Sequence, residues 1–194
     1  MNRLLFYRLI AAFSLLTSTG TYASINLGFT PISQTVDQLE IGLFVTGLGD
    51  TTAPALSTYD LDIGFDPNHL AYSGIVFGDQ LDVFSLAANI TSAEVLDAGI
   101  LNLFELSLDT AEDLNAWQSD SFVLATLSFN ILHSGSSRLS IHVNAFDDAT
   151  ADPLSVTLQT VTITSVPIPS AIWMMLGGLG IFWRSRCQGK ARHG

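Results

Sequence analysis

The sequence predicts an all-β protein, a two-sheet sandwich of the jelly-roll or Greek-key kind, flanked by an N-terminal signal peptide and a single C-terminal hydrophobic helix. Three observations predict it. Apolar residues recur with a period of two from Leu39 to Ile163. Turn residues interrupt them at short intervals, with no βαβ alternation. Charge is split between the middle and the ends of the chain: all 18 acidic residues lie between Asp37 and Asp152, whereas six of the seven basic residues lie in the two terminal segments.

Residues 1–23 read as an export signal. Arg3 and Arg8 precede the apolar stretch Leu9 to Leu16, and Thr21-Tyr22-Ala23 offers small residues at the outer and inner cleavage positions. Ala23 is the expected last residue removed after passage through the Sec export machinery. A cut after Ser24 would put Tyr22 where a small side chain is wanted.

Residues 24–165 form the body. Ile41, Leu43 and Val45 alternate with Glu40, Gly42, Phe44 and Thr46, and Tyr59, Leu61, Ile63 and Phe65 alternate with Asp60, Asp62 and Gly64, which predicts strands with one face in water. Asp66-Pro67-Asn68 supplies a turn, Leu70 to Phe77 is extended again, and Gly78-Asp79 breaks it. Thr110 to Trp117 opens with a capping hydroxyl and puts Glu112 and Asp113 in a first turn, which predicts a short helix interrupting the sheet. Val123, Ala125, Leu127, Phe129 and Ile131 form one inward row, Ser134-Gly135-Ser136 a turn, and Leu139, Ile141 and Val143 a second row. Leu154, Val156 and Leu158 share one parity while Val161 and Ile163 take the other, so a bulge or a change of sheet is expected near Gln159-Thr160. Roughly nine strands in an antiparallel meander result.

Residues 166–194 read as a sorting tail. Val166-Pro167-Ile168-Pro169 leads into an uncharged apolar rod, about 170–183, that includes Ser170, Trp173, Gly177, Gly178, Gly180 and Trp183. A basic end, 184–194, follows with Arg184, Arg186, Lys190 and Arg192. As a helix the rod would extend about 21 Å at ~1.5 Å per residue, against a hydrocarbon core of about 30 Å. It spans an inner membrane only with snorkelling cations and local thinning. A buried core helix fits the length equally well, but four cations with no acid at a chain end speak against it. The basic flank stays cytoplasmic, which leaves the body on the far side.

Composition excludes some chemistry. The body sets its acidic residues against Arg138 alone, a formal charge of −17, which repels nucleic acid and anionic headgroups. Cys187, in the basic tail, is the single cysteine, so no disulfide holds the body together. No Gly-x-Ser-x-Gly elbow or His-Glu-x-x-His pair occurs, and His69, His133 and His142 are scattered, so no enzyme is read here. Calcium is the one cofactor with candidate ligands. Asp147, Asp148 and Asp152 share an oxygen-rich loop, and Asp60 and Asp62 share a strand face, though without EF-hand spacing. Phe44, Tyr72 and Trp117 are candidates for stacking on a sugar. The Asn89-Ile90-Thr91 sequon is read as chance.

The end of the chain resembles the PEP-CTERM sorting signal of Gram-negative bacteria, with Pro167-Ile168-Pro169 in the form that carries an aliphatic residue in place of the usual glutamate. The resemblance implies recognition and processing by exosortase, a membrane protease-transpeptidase. The body is similar to cohesin-like domains through Tyr59 to Pro67, Leu70, Phe77-Gly78, Asn102 to Leu108, Leu124 to Phe129 and Gly135, covering most of Val36 to Val161. This implies a nine-stranded jelly roll akin to carbohydrate-binding modules, with dockerin-binding relatives. The chain carries no dockerin-type calcium repeat, so a dockerin-like partner lies elsewhere.

Two functions therefore compete. One is an exported, non-enzymatic binding module, held in the inner membrane as a precursor and then processed to the cell surface or the medium. The other is an envelope protein that binds or acts on polysaccharide, in keeping with the family's association with biofilm and exopolysaccharide. A permanently membrane-anchored protein shares the topology and differs in the fate of the tail.

Overall fold

In the computed structural model the described residues are 24–165. They form two five-stranded sheets packed face to face. In chain order the elements are β1 (Ile25–Gln34), β2 (Gln38–Thr46), β3 (Leu56–Gly64), β4 (Leu70–Phe77), β5 (Asn89–Asp97), β6 (Ile100–Ser107), α1 (Ala111–Trp117), β7 (Ser121–Ile131), β8 (Gly135–Asp148), β9 (Val156–Leu158) and β10 (Val161–Ser165). One sheet has the order β4-β7-β2-β1-β9 and the other β10-β8-β3-β6-β5.

The two-sheet, all-β expectation stands, but the meander does not. β1 pairs with β9 in parallel, and consecutive strands repeatedly change sheet. Ten strands form where about nine were expected. The extra one is β1, whose alternation is interrupted by Gly28 and by Pro31, next to an irregular register at Pro31/Ser33. A proline is tolerated there because a bulge frees it from the ladder. The parity switch after Leu158 is a change of sheet: β9 lies against β1, the Gln159 amide bonds to the Leu27 carbonyl at 2.8 Å, and β10 crosses to pair with β8.

The core lies between the sheets. Leu27, Leu39, Ile41, Leu43, Val45, Tyr59, Leu61, Ile63, Leu101, Leu103, Leu127 and Phe129 are all fully buried. Each such side chain contributes about 1.5–3 kcal/mol by leaving water. The inward row of β7 differs from expectation at its start. Between Leu43 and Phe44 the pairing slips from Ala125 to Val123, so Leu124 turns inward and Val123 is left 39% exposed. The bulge adds one residue and inverts the parity before it.

The short helix forms as its sequence dictates. The Thr110 side chain accepts from the Asp113 amide, and Glu112 and Asp113 occupy the first turn. Gln118, buried just past the helix, donates through Nε2 to the carbonyls of Leu56 and Gln80, fastening α1 to the start of β3. Gly99 turns β5 into β6 at φ +84°, and a Cβ there would run into the Phe65 carbonyl, so the tight turn requires glycine.

The strand directions give the sandwich two distinct ends. Ser24, α1 and the loops 47–55, 78–88 and 149–155 lie at one; the turns at Asp66 and Ser134, together with Ser165, lie at the other.

Candidate functional site

The outer face of β8-β3-β6-β5 is set by alternation. Tyr59, Leu61 and Ile63 point into the core, so Thr58, Asp60 and Asp62 point away from it; Leu101 and Leu103 likewise turn Asn102 and Phe104 outward. Register then assembles rows across the sheet: Thr58 with Leu106 and Ile90, Asp60 with Phe104 and Ser92, Asp62 with Asn102 and Glu94. An apolar strip of Ile90, Phe104 and Leu106 thus borders an acidic strip of Asp60, Asp62 and Glu94.

The acidic strip is held in place. Asn102 Nδ2 donates to Asp60 Oδ1 at 2.7 Å and to Asp62 Oδ1 at 2.8 Å, and Asn144 Nδ2 reaches Asp60 Oδ1 at 3.1 Å. Amides orient carboxylates without neutralising them. The single cation of the body, Arg138, is exposed on the β8 part of this outer face, opposite Thr162 of β10 and beyond Ser140, where the pairing of β8 with β3 ends. Fixed anions beside a flat apolar strip match a partner with an apolar centre and a basic flank.

Under the same sheet lies an unusual inward residue. Glu105 is 1% exposed, between the layers. Tyr59 donates its hydroxyl to Oε2 at 2.7 Å, and Asn89 Nδ2 donates to Oε1 at 2.8 Å. Burial pushes the Glu105 carboxyl above its ordinary range, with nearby Asp82 adding to the effect and the two donors opposing it. Burial and the neighbouring Glu105 also push the Tyr59 hydroxyl up. The triad ties β3, β5 and β6 together from beneath the outer face.

No protein-family model matches the chain, and no curated protein matches it. Solved structures do. The sixth cohesin of Acetivibrio cellulolyticus scaffoldin B, crystallised with a Cel5 dockerin, aligns with a TM-score of 0.58 at 19% identity, over 73% of this chain and 98% of that one. The fold is that of the cohesins. A non-cellulosomal cohesin of the archaeon Archaeoglobus fulgidus gives 0.55 at 13% identity over 78% and 98% of the two chains. The cohesin module of a Clostridium perfringens family 33 glycoside hydrolase gives 0.53 at 9% over 73% and 97%.

Within this cohesin fold the three aromatic candidates do not form one platform. Phe44 lies on the outer face of the other sheet, half-buried, where its ring covers the bare backbone of Gly28 beside Gln159. Tyr72 packs against the core, edge-on to Phe129 with centroids 6.2 Å apart, and burial pushes its hydroxyl up. Trp117 alone is open, at 65% exposure, and stands edge-on to the half-exposed Phe84 at 6.3 Å.

The acidic loop satisfies itself. Asp148 Oδ1 accepts from the Thr150 amide and hydroxyl and from the Asp152 amide. Partial burial raises the Asp148 carboxyl, yet these donors outweigh it and hold it below the usual range. Asp147, the last residue but one of β8, is bridged to Pro153. Among the described residues no three His, Cys, Asp or Glu side chains converge to hold a metal ion. His69 bonds Asp66 through Nδ1 at 2.9 Å, His133 bonds the Asn68 carbonyl at 2.7 Å, and His142 lies exposed on the polar parity of β8.

Ala23 and the tail lie outside the described residues. That covers Val166, Pro167, Ile168 and Pro169; Ser170, Trp173, Gly177, Gly178, Gly180 and Trp183; and Arg184, Arg186, Lys190 and Arg192.

Proposed function

We propose that this chain is a non-enzymatic protein-docking module, and that the outer face of β8-β3-β6-β5 receives a partner of the dockerin kind. The observation that carries this is the pair Asp60 and Asp62, fixed by Asn102 beside Ile90, Phe104 and Leu106, with no ion pair to either carboxylate among the described residues. The cohesin fold supports the same class of function, since the A. cellulolyticus neighbour was crystallised with a dockerin.

The test is titration of the full chain in neutral detergent against a panel of dockerin modules. Saturable binding is expected that weakens with salt and falls at least tenfold in Leu106→Asp, because a new charge enters a dry contact. A polysaccharide reading is favoured by one observation only, the exposed Trp117 beside Phe84. In that case binding would appear on a glycan array, vanish in Trp117→Ala and ignore Leu106→Asp.

The chain ends extend the proposal. Residues 1–23 direct export through the Sec machinery, the rod at 170–183 holds a precursor in the inner membrane, and exosortase cuts at Val166 to Pro169 to release the module to the surface or the medium. Support comes from the apolar rod followed at once by four cations. Intact mass of the extracellular protein is expected to give a product that begins at Ser24 and ends between Val166 and Pro169. Recovery of tail-bearing chain alone, in the inner membrane, would leave permanent anchoring instead.

A further inference from the structure

We infer that β5 is a self-pairing edge, through which two copies of this chain join into a continuous ten-stranded sheet. The reading rests on the backbone edge of β5 and not on the docking face proposed above, although Ile90 and Glu94 belong to both.

The four sheet edges are not alike. β9 has three residues and β10 five, and β4 is kinked by a register slip between Tyr72 and Gly74. β5 has nine residues, and its pairing with β6 runs without a break from Asn89 to Val95. Its outer side carries a row of backbone groups with no strand beside it. Lysine, proline or a central bulge usually blunts such an edge, and β5 has none of these from Asn89 to Val95. Ile90, Val95 and Leu96 are instead about half exposed on it, at 50%, 49% and 57%.

The sequence of β5 complements itself in one register. A two-fold axis perpendicular to the sheet pairs residues of like parity, so the centre must fall on a residue. Centred on Glu94, the pairing would set two carboxylates directly opposite. Centred on Ser92, it would set Ile90 opposite Glu94. Centred on Ala93, it sets Ile90 opposite Leu96, Thr91 opposite Val95 and Ser92 opposite Glu94. Apolar then meets apolar at Ile90 and Leu96, the latter at the slip that β5 makes against β6 between Val95 and Asp97, and the two Glu94 carboxylates stand diagonally, about 7–8 Å apart. No other centre avoids a like-charge pair while covering all three exposed aliphatic residues. The match between the strand and its own reverse is what identifies a second copy as the occupant.

Electrostatics gives the pairing a signature. Each body carries a formal −17, so copies repel at long range, and salt must strengthen their association by screening. A basic partner on the acidic strip would show the opposite salt dependence. A single edge contact is small beside a standard interface, which places the affinity in the micromolar range or weaker. Antiparallel pairing also turns the second copy end for end, sending the two Ser165 exits in opposite directions.

The test is sedimentation of the full chain in neutral detergent, with Cys187→Ser throughout, combined with cysteine pairing under mild oxidation. Dimer is expected to increase at least threefold from 20 mM to 500 mM NaCl and to fall at least tenfold in Leu96→Lys. Ala93→Cys should cross-link, because a directly opposed pair has Cβ atoms about 4.5–5.5 Å apart, near disulfide reach. Thr91→Cys, four positions out of register with its own copy, should not. Monomer at every salt concentration, or equal cross-linking of the two cysteine variants, would overturn the inference. Leu106→Asp should leave the dimer intact while weakening docking at least tenfold, so the two proposals fail separately.

Discussion

Glu105→Ala should lower the unfolding free energy by about 3–5 kcal/mol, whereas Glu105→Gln should cost no more than about 1 kcal/mol at pH 5. Alanine leaves a void between the sheets and strips the Tyr59 hydroxyl and the Asn89 amide of their shared acceptor. Glutamine keeps the volume. Its carbonyl accepts from Asn89, its amide donates to the Tyr59 oxygen, and the Tyr59 proton turns to the Leu124 carbonyl, which lies 3.5 Å away. The two variants also separate in their response to pH. The Glu105 carboxyl is raised above its ordinary value of 4.5 in the folded protein, chiefly by burial. The unfolded chain therefore releases this proton first as pH rises. The stability that Glu105 contributes is complete below pH 4.5 and declines as pH climbs through the folded value. Thermal melts from pH 4 to pH 8 should show the wild-type chain losing stability relative to Glu105→Gln. Subtracting the two curves removes the repulsion common to both acidic bodies. Parallel curves would mean that Glu105 titrates normally.

Leu61→Ala should cost about 2–5 kcal/mol, a large share of the 5–15 kcal/mol that holds a typical domain. Leu61 is fully buried in β3, the middle strand of its sheet, with Leu103 of β6 and Val143 of β8 as its cross-strand neighbours. Strands on both sides prevent the backbone from closing on the cavity, so the upper half of the range is expected. Ile90→Ala provides the control. It removes a side chain half exposed on an edge strand and should cost less than about 1 kcal/mol. Chemical denaturation of the three proteins side by side checks the contrast, and equal losses would mean that the core does not lie between the sheets.

What could be read before the structure follows from how local each signal is. β2 and β3 alternate cleanly because one face of each meets the core and the other meets water, and their rows Ile41-Leu43-Val45 and Tyr59-Leu61-Ile63 are buried as their period requires. Thr110 declares its helix by capping chemistry that needs no tertiary context. Val123 was legible as apolar but not as outward, because the bulge opposite Leu43 and Phe44 belongs to a pairing of distant strands. The parallel contact of β1 with β9 joins the two ends of the body, and no local pattern announces it.

The proposed docking face was half visible. Asp60 and Asp62 mark the wet side of β3, but Asn102 and Asn144 come to them from β6 and β8 only through register. In β6, apolar residues occupy both parities, with Leu101 and Leu103 on one and Phe104 and Leu106 on the other. Glu105 could therefore be read as the wet residue of a strand in which it is buried. Trp117 was singled out, but its partner Phe84 lies in the β4–β5 loop, distant in sequence and without a periodic signal.

The chain enters the sandwich at Ser24 and leaves it at Ser165, at opposite ends. Strands of eight or nine residues make that separation about 30 Å, whereas fixed charges at physiological salt are felt over about 8 Å. Anything that grips the residues after Ser165 therefore carries Trp117, Phe84 and the Asp148 loop as a payload on a stiff mast, above the ionic atmosphere of the surface to which the mast is fixed.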